Sequence, residues 1–378
     1  MSRACGRVLR QDVSAERDQP PFDRVMMDGI ALRFDSLRKG LRRFRVQGTR
    51  QAGDAAHTLD DEASCIEIMT GAALPVGTDC IVPVERITVD GGFASVEATY
   101  VAAHRQFIHA RGSDHESGDI VLRSGAAISP MDVAIIASCG LPEVAVATAP
   151  SIRVISTGNE LVPAGSPILA HQVRLSNGPA VVAMLEQHGY ARSSHDHLVD
   201  DPDLLHRELA RTLDEADVLV LSGGVSMGKA DFVPQVLAGL GVKKLFHRIS
   251  QQPGKPMWFG IGPKDQAVFA LPGNPVSTLV CCRHYVLPAL MAASGRAKSA
   301  CVYSQLAGDV TYEPALTRFL PVRTSGREDG TLVATPVTPN TSGDFTSLGG
   351  TSGYVELQQE QSWFPAGSSV PLHLWNCP

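Results

Sequence analysis

Positive charge is in short supply: 33 lysines and arginines stand against 39 aspartates and glutamates, a formal net charge of −6 over 378 residues. Gripping a nucleic-acid backbone needs a clustered positive face. A broad nucleic-acid footprint is therefore excluded, and any anion must be held by local groups. The one basic cluster, Arg38, Lys39, Arg42, Arg43 and Arg45, reads as a solvated face. Long apolar runs are missing too. No stretch approaches the roughly 18 residues of a membrane span, and the opening "MSRACGRVLRQDV" has no apolar signal core. The expectation is a cytoplasmic protein without a membrane partner. The eight cysteines (5, 65, 80, 139, 281, 282, 301 and 377) form no CxxC and no zinc-ligand spacing, which leaves reduced thiols in a cytosolic protein. Cys281 and Cys282 sit in an apolar helical run and read as core.

Aromatic residues make up only 6% of the chain, whereas 35 glycines and 25 prolines are plentiful. That balance favours many turns and short strands in part of the molecule. The length exceeds one core, so about two to four domains are expected.

From about residue 151 to 294 strands and helices alternate. "SIRVIST" reads as a buried strand, and "SNGPAVVAMLEQHGY" as a helix capped at Ser176 or Asn177 with Gly189 just past its end. "DDPDLLHRELARTLDEA" opens like a helix, with an Asp and Pro202 in the first turn. The strand "DVLVLSGG", the helix "DFVPQVLAGLG", the strands "KKLFHRI", "PMWFGIG" and "AVFALPG", and the helix "PVSTLVCCRHYVLPALMAAS" follow. This order implies a largely parallel sheet covered by helices. Residues 1–150 read as mostly β, with one lobe inserted in another, and the last 80 or so as four or more strands of a small barrel or sandwich.

Ligands of such sheets sit beyond the carboxyl ends of the strands, which directs attention to "TGNEL", "SGGVSMGKAD" and "LPGNP". In the second, Ser222, Gly223, Gly224 and Ser226 let a backbone approach a ligand closely, and helix-start amides offer donors to an anion, a phosphate above all. A plain tight turn explains the two glycines equally well. Neither GxxxxGK[ST] nor GxGxxG is present. Asp231 reads as a helix cap or a site carboxylate, with Glu160 at a neighbouring strand end as its company. Lys255 in "QQPGKP" is a surface lysine or an anion contact. Asp28 in "MMDG" and Asp114 in "RGSD" carry the same two readings, turn residue or acidic site group. His195 and His197 share a strand face but lack a third ligand in reach, so a surface strand is favoured over a metal site.

In order, "PPFDRVMMDGIA", "IMTGAALPVGTDCIVPVE", "RGSD", "STGNEL", "VDDPDLL", "SGGVSMGKAD", "PGKP" and "LPGNPVS" make the chain resemble the molybdopterin molybdenumtransferase family, MoeA, whose eukaryotic relative is the C-terminal domain of gephyrin. The resemblance spans nearly the whole chain. It implies a multidomain α/β plus β fold: a dimerisation domain (1–18 and 118–148), an inserted β domain (19–117), a central three-layer α/β molybdopterin-binding-type domain (149–298) and a C-terminal β barrel (299–378). It further implies a homodimer whose cleft pairs the α/β domain of one subunit with "PPFD…MDG" of the other. The implied reaction inserts molybdenum from molybdate into adenylylated molybdopterin and releases AMP. Transient contact with an adenylyltransferase and with molybdoenzymes goes with it.

Matched by motif, Asp28, Asp114, Glu160 and Asp231 fall where the family keeps its acidic active-site residues, with Glu160 and Asp231 assigned to Mg2+. Thr70, Gly71, Asn177, Ser222, Gly223, Gly224, Ser226, Pro272, Gly273, Asn274 and Pro275 line the substrate cleft in this assignment, and Arg248 and Lys255 meet molybdate. Departures touch the anion region: Gln252 stands where relatives carry a lysine, Pro321 where they carry an arginine, and "STGNEL" and "MDGIA" replace "STGDEL" and "MDGYA". The helical segment that precedes "GRVLRQDV" in relatives is missing, through a misplaced start or a shortened form. Two other classes compete: a non-catalytic molybdopterin-binding carrier or scaffold, supported by Gln252 and Pro321, and an adenylyltransferase, which "PPFD…MDG" and the barrel disfavour.

Overall fold

The structure is a computed structural model that describes residues 4–55, 57–225, 232–296, 300–313 and 315–376. Contacts divide it into two compact units, one comprising Leu9–Ala145 with the extreme N-terminus, the other Gly6–Val8 and Val146–Pro378.

The first unit is mostly β. Six strands, β1 (Gly29–Leu32), β2 (Arg43–Arg50), β3 (Ser64–Ile68), β4 (Cys80–Pro83), β5 (Ile87–Asp90) and β6 (Phe93–Val96), form a mixed sheet in the order β4-β1-β3-β2-β6-β5. Ile30, Leu32, Phe44, Cys65, Cys80 and Val82 fill one core. Outside that sheet, Val13–Ser14 pairs antiparallel with Ile120–Leu122, which ties the start of the unit to its end. Helix α1 (Pro130–Ser138) starts on a capping box: the Asp132 amide donates to Ser129 Oγ, and the Ser129 amide donates to the Asp132 carboxylate.

The second unit contains the expected α/β layers. Its strands are β7 (Ile152–Thr157), β8 (Ser193–Leu198), β9 (Val218–Ser222), β10 (Lys243–His247), β12 (Trp258–Ile261) and β13 (Ala267–Leu271), while β11 (Gln251–Gln252) leaves to join the barrel. The sheet order is β8-β7-β9-β13-β12-β10. The first four run parallel, β12 runs antiparallel to both of its neighbours, and β10 at the edge therefore points the same way as the first four. Alternation builds the layers: Val218, Val220, Phe269 and Leu271 pack on α2 (Asn177–Gln187) and the C-terminal helix, whereas Leu219, Leu221, Val268 and Ala270 pack on α3 (Pro202–Glu215) and α4 (Val233–Gly239). Asp201 caps α3 through the Leu204 amide at 2.8 Å. Ser176 is the N-cap of α2 but makes no side-chain cap bond.

One helix departs from the expected lack of a membrane-length apolar run. The helix Pro275–Ala293 is long and apolar enough to cross a membrane by length and composition. It is a core element here: Val276, Val280, Cys281, Cys282, Val286 and Leu287 are each at most 1% exposed, and it carries Arg283 and His284. It runs as α5 (Pro275–Cys281), a π-helical turn at Cys282–Val286 and α6 (Leu287–Ala293).

The last strands, β14 (Val302–Leu306), β15 (Thr317–Gly326), β16 (Leu332–Pro336), β17 (Gly353–Leu357) and β18 (Ser369–Leu374), close into a ring, β15-β16-β14-β18-β17-β15. A barrel, rather than a sandwich, is the outcome. Val276 and Val280 of α5 pack on Phe319 and Tyr354 of the barrel.

Candidate functional site: a glycine-lined cleft at four parallel strand ends

Because β8, β7, β9 and β13 are neighbours running the same way, their four following loops open into one place. There they form a cleft of about 690 Å³. The loop after β7 supplies Gly158 and Glu160, that after β8 Asp200, that after β9 Gly223 and Gly224, and that after β13 Pro272, Gly273, Asn274 and Pro275. Ser176 and Asn177 at the start of α2 close one side, and Gly343 and Phe345 another.

The glycines are needed for space. Gly223 has φ +99°, and a Cβ there would sit 2.6 Å from the Thr157 carbonyl oxygen; at Gly224, φ +66°, it would sit 2.7 Å from Val233. Asn177 ties the loops together. Its Nδ2 lies within hydrogen-bond distance of Ser222 Oγ (3.0 Å), the Gly273 carbonyl (2.7 Å) and Thr278 Oγ1 (3.2 Å). Two buried oxygens of this wall, Asn177 Oδ1 and Thr157 Oγ1, have no hydrogen-bond partner among the described residues. Such orphaned groups are costly unless something answers them.

Three charged residues are among the described residues of the lining: Glu160, Asp200 and Arg174. Glu160 is exposed and folds back over Gly158, where a Cβ would lie 2.7 Å from its carboxylate. Asp200 and Arg174 are the residues that residue-by-residue reading passed over. Asp200 stands inside "VDDPDLL", and the strand-end rule that singled out Glu160 applies equally to it. Arg174 sits on a short strand, its guanidinium donating to the Pro163 and Ser166 carbonyls at 2.9 and 2.7 Å; no motif marks it. Arg248 and Lys255 are exposed and do not line the cleft, although Pro256 does. Ser226 and Asp231 lie outside the described residues.

The histidine pair behaves as a strand face. His195 Nε2 is 3.0 Å from Ser156 Oγ, and burial lowers its pKa. Its ring takes the space that a Cβ at Gly178 would need. His197 Nε2 is 2.8 Å from the Gly158 carbonyl and so steadies the loop that carries Glu160.

In the first unit, Asp28 receives the Thr70 amide at 2.7 Å and the Thr70 hydroxyl at 2.6 Å. Those donors, the hydroxyl first, hold its carboxyl below the usual carboxylate range. Gly71, next in the chain, has φ +87°. Asp114 is 2.9 Å from His109 Nε2, and His109 Nδ1 is 2.9 Å from Arg24. Both aspartates are thus held by side-chain hydrogen bonds. Thr70→Val keeps the amide donor and removes the hydroxyl. The Asp28 carboxyl should then titrate at higher pH by NMR.

Gln252 has a different setting from the cleft. Its Oε1 accepts from the Tyr312 hydroxyl. Arg318, its partner across the β11–β15 pair, stacks on the Tyr312 ring at 4.5 Å. With Pro321 it lines a separate hollow of about 110 Å³. Gln252→Lys would lose that acceptor and place an ammonium beside a guanidinium. We expect about 1 kcal/mol of destabilisation in chemical melts.

The chain matches three family models in sequence: the MoeA N-terminal region (domain I and II) over residues 1–140, a probable molybdopterin binding domain over 153–292, and the MoeA C-terminal region (domain IV) over 303–375. A molybdopterin molybdenumtransferase of Synechocystis is 38% identical over 371 residues, covering 98% of this chain and 93% of the relative. The chain belongs to the MoeA family. A molybdopterin molybdenumtransferase of Haemophilus influenzae is 33% identical over 78% of this chain and 72% of its own. A crystal structure of the molybdopterin biosynthesis MoeA protein from Pyrococcus horikoshii superimposes with a TM-score of 0.82 at 26% identity, over 99% of this chain and 93% of the other. The MoeA fold therefore extends over the whole described chain, and the cleft lies in the part matched by the molybdopterin binding model.

Proposed function

We propose that this protein inserts molybdenum from molybdate into adenylylated molybdopterin, with release of AMP, as a magnesium-dependent cytoplasmic homodimer. One observation carries the reading: a glycine-floored cleft with two carboxylates at the ends of four parallel strands. The floor at Gly223 and Gly224 admits a phosphate against the backbone. Among the described residues the walls carry Glu160 and Asp200 against Arg174. An anion entering such a cleft is repelled unless a cation lies between, and carboxylate and hydroxyl oxygens are the donors a hard divalent ion takes. The residues present thus fit magnesium. When bound, the ion neutralises the charge that develops as the phosphoanhydride breaks. Glu160 and Asp200 would hold it, with Asp231 assigned by motif.

Asn177 fixes the loops that carry Ser222 and Gly273 relative to each other, so the two ends of the substrate meet one rigid wall. The orphaned Asn177 Oδ1 and Thr157 Oγ1 are the acceptors the bound pterin nucleotide is expected to satisfy. The remaining carboxylates, the partner subunit's Asp28 and the partner subunit's Asp114, are assigned to positioning the phosphoanhydride for cleavage, and Arg248 and Lys255 to molybdate.

Purified protein incubated with adenylylated molybdopterin, magnesium and molybdate tests the proposal. AMP release with formation of molybdenum cofactor is the expected result. A carrier or scaffold would bind the pterin and release no AMP.

A further inference from the structure

Away from the cleft, the joint between the α/β layers and the barrel holds a second concentration of chemistry. His284 comes from the π-helical turn, Glu356 from β17 and His373 from β18. Their ligand atoms all lie within 4.8 Å of one another. Sheet register explains the meeting: Tyr354 and Glu356 are two apart on β17 and share a face, and His373 is the cross-strand partner of Tyr354. The extra residue of a π turn shifts a helix face locally, and such turns recur at functional sites. Here the turn lays the His284 ring over that face, 4.8 Å from the ring of His373 and 4.4 Å from that of Phe319.

We propose that His284, Glu356 and His373 form a binding site for a zinc-class divalent cation that clasps the barrel to the α/β layers. His373 Nε2 and Glu356 Oε2 are already 3.0 Å apart, close to the separation of two ligands on one ion. With metal–ligand bonds of about 2.0–2.2 Å, donors of a tetrahedral site stand about 3.4 Å apart. The widest separation in the cluster closes by a rotation of partly exposed side chains. His284 Nδ1 is held by the Tyr354 hydroxyl at 3.1 Å, which leaves Nε2 for the metal. A bonded second nitrogen is the usual support of a metal-binding imidazole. Tyr354 is itself fully buried and stacks on His373 at 5.0 Å, so the supporting groups are rigid.

Two protein imidazoles and one carboxylate leave a fourth position open. A hollow of about 250 Å³, lined by His284, Tyr285, Phe319, Glu356, Gln359 and Glu360, gives water access to it. It shares no lining residue with the cleft. The ligand set also separates the two sites by chemistry. Magnesium takes oxygen ligands and keeps its water, whereas imidazole suits zinc, nickel and copper.

The test is zinc binding by the full chain stripped with chelator. Wild-type protein should take up one zinc ion per chain in competition with a chromophoric chelator, and cobalt(II) should give the d–d absorption of a four-coordinate site. Magnesium in excess should displace neither. Glu356→Gln, which keeps a hydrogen-bond acceptor for His373, and His373→Gln should each weaken zinc by about tenfold or more and abolish the cobalt band. Zinc should raise the Tm of the wild type only. An anomalous peak between the three side chains in zinc-soaked crystals of the wild type checks the site without any substitution. Zinc stoichiometry and affinity unchanged in both variants, or no anomalous peak at this position, would overturn the proposal and leave a hydrogen-bonded joint alone.

Discussion

Gly223→Ala should leave a protein that folds but releases AMP at least about 10²-fold more slowly. The methyl group would start 2.6 Å from the Thr157 carbonyl oxygen, at a backbone φ of +99° that an L side chain rarely adopts. Relief of that overlap means moving the β9 loop away from β7. Backbone strain of this kind costs about 1–3 kcal/mol, affordable for a chain with several large cores. The site is less forgiving than the fold: the Gly223 amide donates to the Leu271 carbonyl at 3.2 Å, and disturbing that tie displaces the floor on which a phosphate would rest. Gly273→Ala is the internal comparison. Its added methyl would meet only the Gly223 Cα at 3.6 Å, ordinary contact, with no positive φ. It narrows the cleft without straining the backbone, so its loss should be smaller and appear in KM. Steady-state AMP release together with thermal melts separates the two. Equal losses in both variants would mean that cleft width, rather than the position of the Gly223–Gly224 backbone, governs the reaction.

The same stretch, Ser222 to Gly224, shows what could be read without coordinates. A strand running into paired glycines, in a region where strands and helices alternate, places a ligand loop at a strand end by general rule, and the structure puts it on the cleft floor. Asn177 was legible as a helix start; its role as a three-way tie was not, since Ser222, Gly273 and Thr278 are 45 to 101 residues away. Arg174 was invisible for a similar reason, lying on a two-residue strand with no periodic pattern.

The reversed β12 escaped an alternation rule that cannot see direction. Gln252 shows what a motif comparison leaves out. Read as a missing charge near an anion, it spends its carbonyl on Tyr312 of the barrel, a contact made across 60 residues. His284, Glu356 and His373 carried no motif at all. Only the closure of the barrel against a π-turn brings them together.

Glu160→Gln and Asp200→Asn decide how the acidic walls act. Both changes preserve shape and remove one negative charge each from the cleft lining. If the carboxylates hold magnesium, each variant should lose about 10²-fold in kcat at fixed magnesium. Part of that loss should be recovered by raising magnesium, because affinity for a hard cation depends on ligand charge. If instead the carboxylates merely face the substrate, neutralising them removes repulsion between like charges. Pterin nucleotide would then bind more tightly and the rate at low magnesium would rise. The two accounts predict opposite signs for one measurement, the rate at sub-saturating magnesium and sub-saturating substrate. The double variant sharpens the contrast. Two ligands of one ion act as a unit, so the second substitution should cost far less than the first, whereas independent repulsions would add. His197 extends the same logic one step outward. Its Nε2 is 2.8 Å from the Gly158 carbonyl beside Glu160, so a residue that never touches substrate should change the magnesium requirement through the loop it steadies.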